Sequence, residues 1–425
     1  MKRTPAFYGA SVFRRGGAYL AALGLGMLVV AIGVGSLATA RVRSRTANLT
    51  LATAAARENA RSAVELGRAI ISRNSNWRTA RANGAWITGQ QFGVGTITLS
   101  VQNPNGALNR SELDPVVLTG TGEVGLARQS LSAQLEAVRT PLSCLTVPMS
   151  SGGLVTLNYS NVNPTGGPIT SNGGITSVLA TLNGDAEAVG SILGTGFRGK
   201  TTTGVAPRAL PSSSVAAPYI ADGTAIPISS LPATSGVRYL RQTLLSPRTN
   251  PFGPPNAAGI YIIDCASQKL IIDNCRIVGT LVILNPAAGS EVRNGVHWTP
   301  AISNYPCLIV MGGFGLALSA TTVSESSIGV NLNPPGAPYP YPSGSSNTTT
   351  TDTYPTIIDG LVYIAGTANL SGTVRVDLLI AGGAINAGGT VHLTYDDTYA
   401  KSPPPGFFTV TMRLASGSWR RVVAD

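Results

Sequence analysis

Residues 16–40 read GGAYLAALGLGMLVVAIGVGSLATA, an apolar run with no charged side chain. Lys2, Arg3, Arg14 and Arg15 precede it, and Arg41, Arg43 and Arg45 follow at once. At ~1.5 Å of rise per residue a helix of this length reaches ~37 Å, enough to cross a hydrocarbon core of ~30 Å. A helix satisfies its own backbone hydrogen bonds, so one such segment is stable in lipid. Three readings of the run stand open. It is a secretory signal ending at Ala38-Thr39-Ala40, an uncleaved anchor, or a pilin-like helix processed next to Gly16, Gly17 and Ala18. Signal cores span ~7–15 residues, which speaks against the first.

The chain that follows favours the third reading. Residues 41–74 contain no proline and one internal glycine, Gly67, and are dominated by the helix formers Ala, Arg and Leu. Leu49, Ala52, Ala56, Ala60, Ala63, Leu66 and Ile70 recur at three- and four-residue steps, which makes one apolar stripe. Glu58–Arg61 and Glu65–Arg68 stand three apart and can pair weakly. The spacing predicts a single helix from the apolar run to Asn74, greasy in its first half and amphipathic in its second.

The totals agree with a β-rich remainder. Of 425 residues, 12% are charged and 6% aromatic, with 50 glycines and 28 prolines. Such a composition suits short strands and tight turns rather than a helical enzyme. The net charge of +11 is nearly all arginine. These arginines cluster at the flanks of the apolar run and along one helix, so a membrane partner is expected and no nucleic-acid partner is.

Outward from the helix, the chain divides by composition. A basic leader covers 1–16, a transmembrane helix 17–40 and its amphipathic extension 41–82. A small β segment packed on the helix is expected at 83–140, with residues 74–95 as a turn-rich connector. Residues 141–205 read as short apolar runs with Gly, Asn and Ser corners, and 206–258 as a Pro/Ser-rich linker or loop. Apolar runs return over 259–400 (IYIID, LIID, LVIL, LIVM), interrupted at 321–356 by a low-complexity surface loop. Residues 401–425 suggest a hairpin around Ser416-Gly417-Ser418 that caps an open sheet edge.

The clearest periodicity is YIAGTANLSGTVRV at 363–376 followed by LIAGGAINAGGTVHL at 379–393. Ile364, Gly366 and Gly372 recur as Ile380, Gly382 and Gly388, 16 residues on, and Val374 and Val376 recur as Val391 and Leu393, 17 on. Two strands around a glycine corner, repeated at this spacing, are what one coil of a parallel β-helix needs, with equivalent strands ~4.8 Å apart. Ile364 is expected to stack over Ile380.

Catalytic chemistry finds little support. The two histidines lack the neighbours of a triad. His392 points outward between Val391 and Leu393, and His297 packs beside Trp298 in GVHWTP. Asp264 and Asp273 are the best available carboxylate pair for glycan cleavage, and a hydrogen bond at a strand end is the plainer role. Asp396-Asp397 lacks the further oxygen ligands a Ca²⁺ site needs, and Gly312-Gly313-Phe314-Gly315 lacks the phosphate-loop spacing. Gly24, Gly26, Gly33 and Gly35 form no GxxxG pattern. No catalytic, cofactor or metal residues are therefore assigned. Cys144, Cys265, Cys275 and Cys307 show no metal spacing. Cys265 and Cys275 lie at similar places in successive apolar runs, so a disulfide between them and buried free thiols both stand open.

The layout resembles the PilX-like family of minor pilins. The residues that carry this are Arg14-Arg15-Gly16-Gly17, the apolar helix, and the Ala/Arg/Glu-rich extension around residues 58–71. The pieces ITSNGGITSVLATLNGDAEAV, GLVYIAGTANLSGTVRVDLLIAGGAINAGGTVHLTYDD and Pro403-Pro404-Pro405-Gly406-Phe407 are similar to the right-handed β-helical domain appended to such proteins. Typical major pilins carry an acid a few positions into the mature helix, where Ala21 and Ala22 stand here. PilX-like members often lack it too.

The resemblance implies a single-pass inner-membrane protein, N-terminus cytoplasmic, with its β domain in the periplasm, at the cell surface or on a pilus. It implies a minor component of a type IV pilus or type II secretion pseudopilus, with other pilins or secretion components as partners. A surface-anchored β-helix that binds or cuts polysaccharide, and a bactofilin-like polymerising scaffold, are the alternative readings.

Overall fold

A computed structural model describes residues 15–337 and 339–423. Most of the expected leader, residues 1–14, lies outside them, as do Ala424 and Asp425 at the end of the expected C-terminal hairpin. The chain is a long N-terminal apolar helix followed by mostly β structure, in two compact units: residues 1–138 with 410–425, and residues 139–409.

In the first unit, helix α1 (Arg15–Arg73) runs unbroken for 59 residues. It is long and apolar enough to cross a membrane, and residues 17–51 are exposed along their whole length. The burial starts where the alanine stripe does: Ala56, Ala60, Ala63, Val64 and Ile71 are covered by an antiparallel sheet. Its strands β1 (Gly84–Phe92), β2 (Gly95–Gln102), β3 (Val116–Val124) and β4 (Ala127–Pro141) pair in sequence order. Leu99, Val101, Val116, Leu118, Ala133 and Leu135 face the helix, and Trp77 closes the core.

The contact is unusually close because β3 ends its inward row with glycines. A Cβ on Gly120 would strike the carbonyl of Ala60, and one on Gly122 the carbonyl of Ala56. Alanine on the helix and glycine on the strand together let backbone meet backbone.

Two expectations change here. The connector 74–95 contains β1, whose mostly exposed residues carry little apolar signal. The C-terminal stretch read as a hairpin and cap lies, in its described residues, in strands of this sheet. Strands Phe408–Leu414 and Arg420–Val422 both pair with the long β4 and so extend this sheet. The physical reason is the open edge of β4, which offers unpaired backbone groups to the returning chain.

In the second unit nearly all pairing is parallel. One ladder joins, level by level, Thr224, Tyr261, Leu281, Leu308, Val362, Leu379, Met149, Ile169, Ala186 and Thr201. A second joins Leu240, Ile272, Val292, Leu316, Leu370, Ala387, Leu157 and Ser177. A third joins Leu245, Ile277, Trp298, Ile358, Val376 and Leu393. Their inward side chains form one continuous apolar core.

The order of levels does not follow the chain. It enters at Met149, climbs to Thr201, crosses to the far end at Thr224, and returns until Leu379 docks beside Met149. Entry and exit consequently meet: the Leu142 amide donates to the Phe407 carbonyl at 3.0 Å. The stretch read as a linker, 206–258, carries both the crossing and a full level, because strands Val237–Arg241 and Leu244–Leu245 pair with Lys269–Val278.

The repeat is uniformly 17 residues at its clearest point. Tyr363 pairs with Ile380, Ile364 with Ala381, and Val374 with Val391. The expected stacking of Ile364 on Ile380 is off by one. A one-residue slip turns a strand's side chains to the opposite face. Ile364 accordingly sits in the interior, and Ile380 in a second apolar cluster with Tyr363, Phe407 and Tyr219. The corner glycines are Gly372 (φ 71°) and Gly389 (φ 78°), at the same spacing, each in the left-handed region that disfavours side chains.

Candidate functional site

The expected processing residues lie at the start of α1. Gly16, Gly17 and Ala18 fall in its first helical residues, and the first turn holds no acid. Ala21 and Ala22 continue the exposed apolar surface. One rigid helix thus carries a bare greasy half and a half buried under a sheet.

The carboxylates Asp264 and Asp273 are not brought into one site. Asp264 ends a strand of the first ladder, where its Oδ1 accepts from the Ala266 amide at 3.0 Å and from Asn285 Nδ2 at 3.1 Å. These bonds hold its pKa below the usual carboxylate value. Asp273 belongs to the second ladder and accepts from Asn294 Nδ2 at 2.8 Å, with Arg293 at 3.8 Å. Among the described residues no group of His, Cys, Asp and Glu is placed to hold a metal ion. His297 is buried, its Nδ1 3.1 Å from the Pro355 carbonyl and its ring against Tyr341 and Tyr354. Burial lowers its pKa. Asp397 pairs with Lys401 at 2.8 Å.

All four cysteines are free and buried, which is the second of the two readings left open for Cys265 and Cys275. The two do not stack. Cys265 sits beside the level of Leu284, whereas Cys275 lies in the second strand of the same level, opposite Val296. The Cys275 thiol donates toward the Leu240 and Asp273 carbonyls at 3.2 Å. Burial pushes both thiols up to about 12, so neither is a nucleophile near neutral pH.

Two polar clusters escaped the sequence reading. The low-complexity stretch 321–356 is organised around Glu325, which is fully buried. Its carboxylate accepts from the Leu332 amide at 2.6 Å, the Tyr354 hydroxyl at 2.7 Å and the Asp352 amide at 3.1 Å. Arg276 reaches from the strand Lys269–Val278 to donate to the carbonyls of Leu332, at 2.8 Å, and Tyr339, with Tyr354 5.5 Å from its guanidinium. The one signal was a lone arginine in the apolar run LIIDNCRIV.

The second cluster is Asp377 beside Asp359 on adjacent levels. Partial burial, and then the neighbouring carboxylate, push the Asp377 pKa up to about 8.

The first unit holds a cleft of about 480 Å³ between α1 and the strand Arg420–Val422, walled by Arg57, Arg61, Arg420, Arg421, Glu58 and Trp419.

No protein-family model matches the chain, and no curated protein matches it. Among solved structures it is similar to the competence-associated pilin ComZ from Thermus thermophilus, at 8% identity and a TM-score of 0.34, covering 87% of this chain and 98% of that one. A likeness of that size carries no argument about fold or function.

Proposed function

We propose that this chain is a membrane-anchored, pilin-like structural subunit that carries a right-handed parallel β-helix outside the inner membrane. The observation behind the reading is α1 itself. Residues 17–40 form a bare apolar surface of membrane-spanning length, and the same helix continues without a break into the core of the antiparallel sheet. A hinge between anchor and folded part would uncouple them. A continuous helix instead fixes the sheet to the span, as a subunit needs when its apolar half moves from a bilayer into a packed fibre.

Three parallel ladders around one core, repeating at about one level per ~4.8 Å, support the β-helix. The glycan-cleaving alternative asks for clustered outward acids, and Asp264 and Asp273 lie on separate ladders. The role proposed is therefore non-catalytic: a minor component of a type IV pilus or type II secretion pseudopilus, with its N-terminus cytoplasmic and other pilins or secretion components as partners.

Sequencing the mature N-terminus of the membrane-fraction protein tests this. A start at Gly17 or Ala18 is expected. A start at Arg41 would leave a secreted protein, and an intact Met1 a plain anchor or cytoplasmic-side scaffold.

A further inference from the structure

Thr53, Arg57 and Arg61 lie at steps of four on α1, so their side chains share one face of the helix. That face looks across the cleft to Gln129 and Leu131 of β4 and to Trp419, Arg420 and Arg421. Four arginines, Arg57, Arg61, Arg420 and Arg421, line the cleft with one carboxylate, Glu58. None of the four forms an ion pair among the described residues, where five other pairs do form. Unneutralised like charges around one concavity raise its affinity for an anion. Guanidinium forks match carboxylate geometry, two parallel N–H donors to two oxygens.

We infer that this cleft docks an acidic, partly apolar polypeptide segment of a different protein. Three observations choose that occupant. Arg57 stands about 25 Å along the helix from Ala40, at ~1.5 Å per residue, beyond reach of headgroup charge screened over ~8 Å. A second copy of this chain carries a net charge of +11 and, docked about a two-fold, brings the same arginine-lined face, so it is repelled. Glu58 among the arginines, and the half-buried Trp419 and Leu131 beside them, disfavour a phosphate backbone and suit a segment that alternates carboxylates with an apolar anchor. The inference rests on the pilin-like reading only in calling that protein a neighbouring subunit. It gives the chemistry by which an arginine-rich minor component prefers a heterologous neighbour to itself.

The test uses the detergent-solubilised full chain and a fluorescent Glu/Leu-alternating peptide of about a dozen residues, read by anisotropy. Lys/Leu and oligothymidine probes run alongside. Salt-sensitive binding of the acidic peptide is expected, weakened about tenfold or more in R420E/R421E, the scale of losing charge-assisted hydrogen bonds. R57E/R61E, on the other wall, should give the same loss if the first pair perturbs folding. Glu58→Gln should tighten binding about threefold by removing the carboxylate that lines the cleft among the described residues. The proposal is overturned if the acidic peptide fails to bind, if either charge reversal leaves binding unchanged in a folded protein, if Glu58→Gln weakens it, or if oligothymidine binds more tightly. None of these outcomes bears on the mature N-terminus, so the two readings fail separately.

Discussion

The helix–sheet unit and the parallel-ladder unit bury their cores by opposite means. Under α1 the contact residues are small: Ala56, Ala60 and Ala63 against Gly120 and Gly122, with backbone approaching backbone. In the ladders they are large and repeat at every level, as in Tyr261, Leu281, Leu308, Val362 and Leu379. The first arrangement is intolerant of added atoms and the second of removed ones. The difference separates roles as well as packing, since a helix held by close contact is positioned rigidly, while stacked levels add length without changing the cross-section.

Removing bulk from the ladders should have the largest effect. Trp298 is fully buried and donates through its indole N–H to the Gly279 carbonyl at 2.9 Å. Trp298→Ala is expected to cost about 3–5 kcal/mol, read as a lowered melting transition of the second unit alone. Adding bulk to the close contact comes next. Gly120→Val should cost about 2–3 kcal/mol and lower the transition of the first unit, with proteolysis of β3 as a second readout. The reverse assignment of transitions in calorimetry would break the comparison.

A polar device sits between those extremes. Glu325→Gln leaves one carbonyl oxygen for three donors, which predicts a loss of about 2 kcal/mol. Hydrogen exchange should accelerate over residues 321–356 and not in the ladders.

Two groups of the second unit make its stability depend on pH, and they pull in opposite directions. Native His297 has a lowered pKa, so the unfolded chain binds more protons below about pH 6.5 and stability falls as the solution is acidified. Native Asp377 titrates at about 8, above its unfolded value of about 4, so the native state binds more protons between them. Its contribution is fully present below about pH 4 and is lost as pH rises through about 8. Asp377→Asn should therefore flatten the alkaline slope of a melting-temperature profile, and His297→Phe the acidic one. A profile unchanged by both would sink this pairing.

How far the sequence could be read follows the same contrast. Helix α1 was legible to its last turn, because 3.6-residue periodicity is a local property and no proline interrupts it. The strand cores IYIID, LVIL and LIVM were legible as apolar runs. β1 fell inside the expected β segment 83–140 but was read within a turn-rich connector, since Gln90, Gln91 and its glycines give an edge strand no apolar rhythm. The strand Val237–Arg241 was hidden by a Pro/Ser-rich context although Leu240 is fully buried. Cys265 and Cys275 looked equivalent in one dimension, but Cys265 lies just past the strand Ile260–Asp264 and Cys275 within the next strand of the same level. The arginine cleft was illegible because its walls come from residues 53–61 and 419–421, which only the sheet edge at β4 brings together.

The sequence by itself determined the apolar span, the continuous helix behind it and the β character of the rest, each carried by neighbours within a few residues. Only the tertiary structure decided which strands are adjacent. Leu379 lies beside Met149, some 230 residues away, because a parallel level has a free edge above and below and the chain could satisfy it from either direction. The 17-residue register over 16 was settled the same way. Glycine corners tolerate either spacing, and burial of Ile364 on one face and Ile380 on the other selects one.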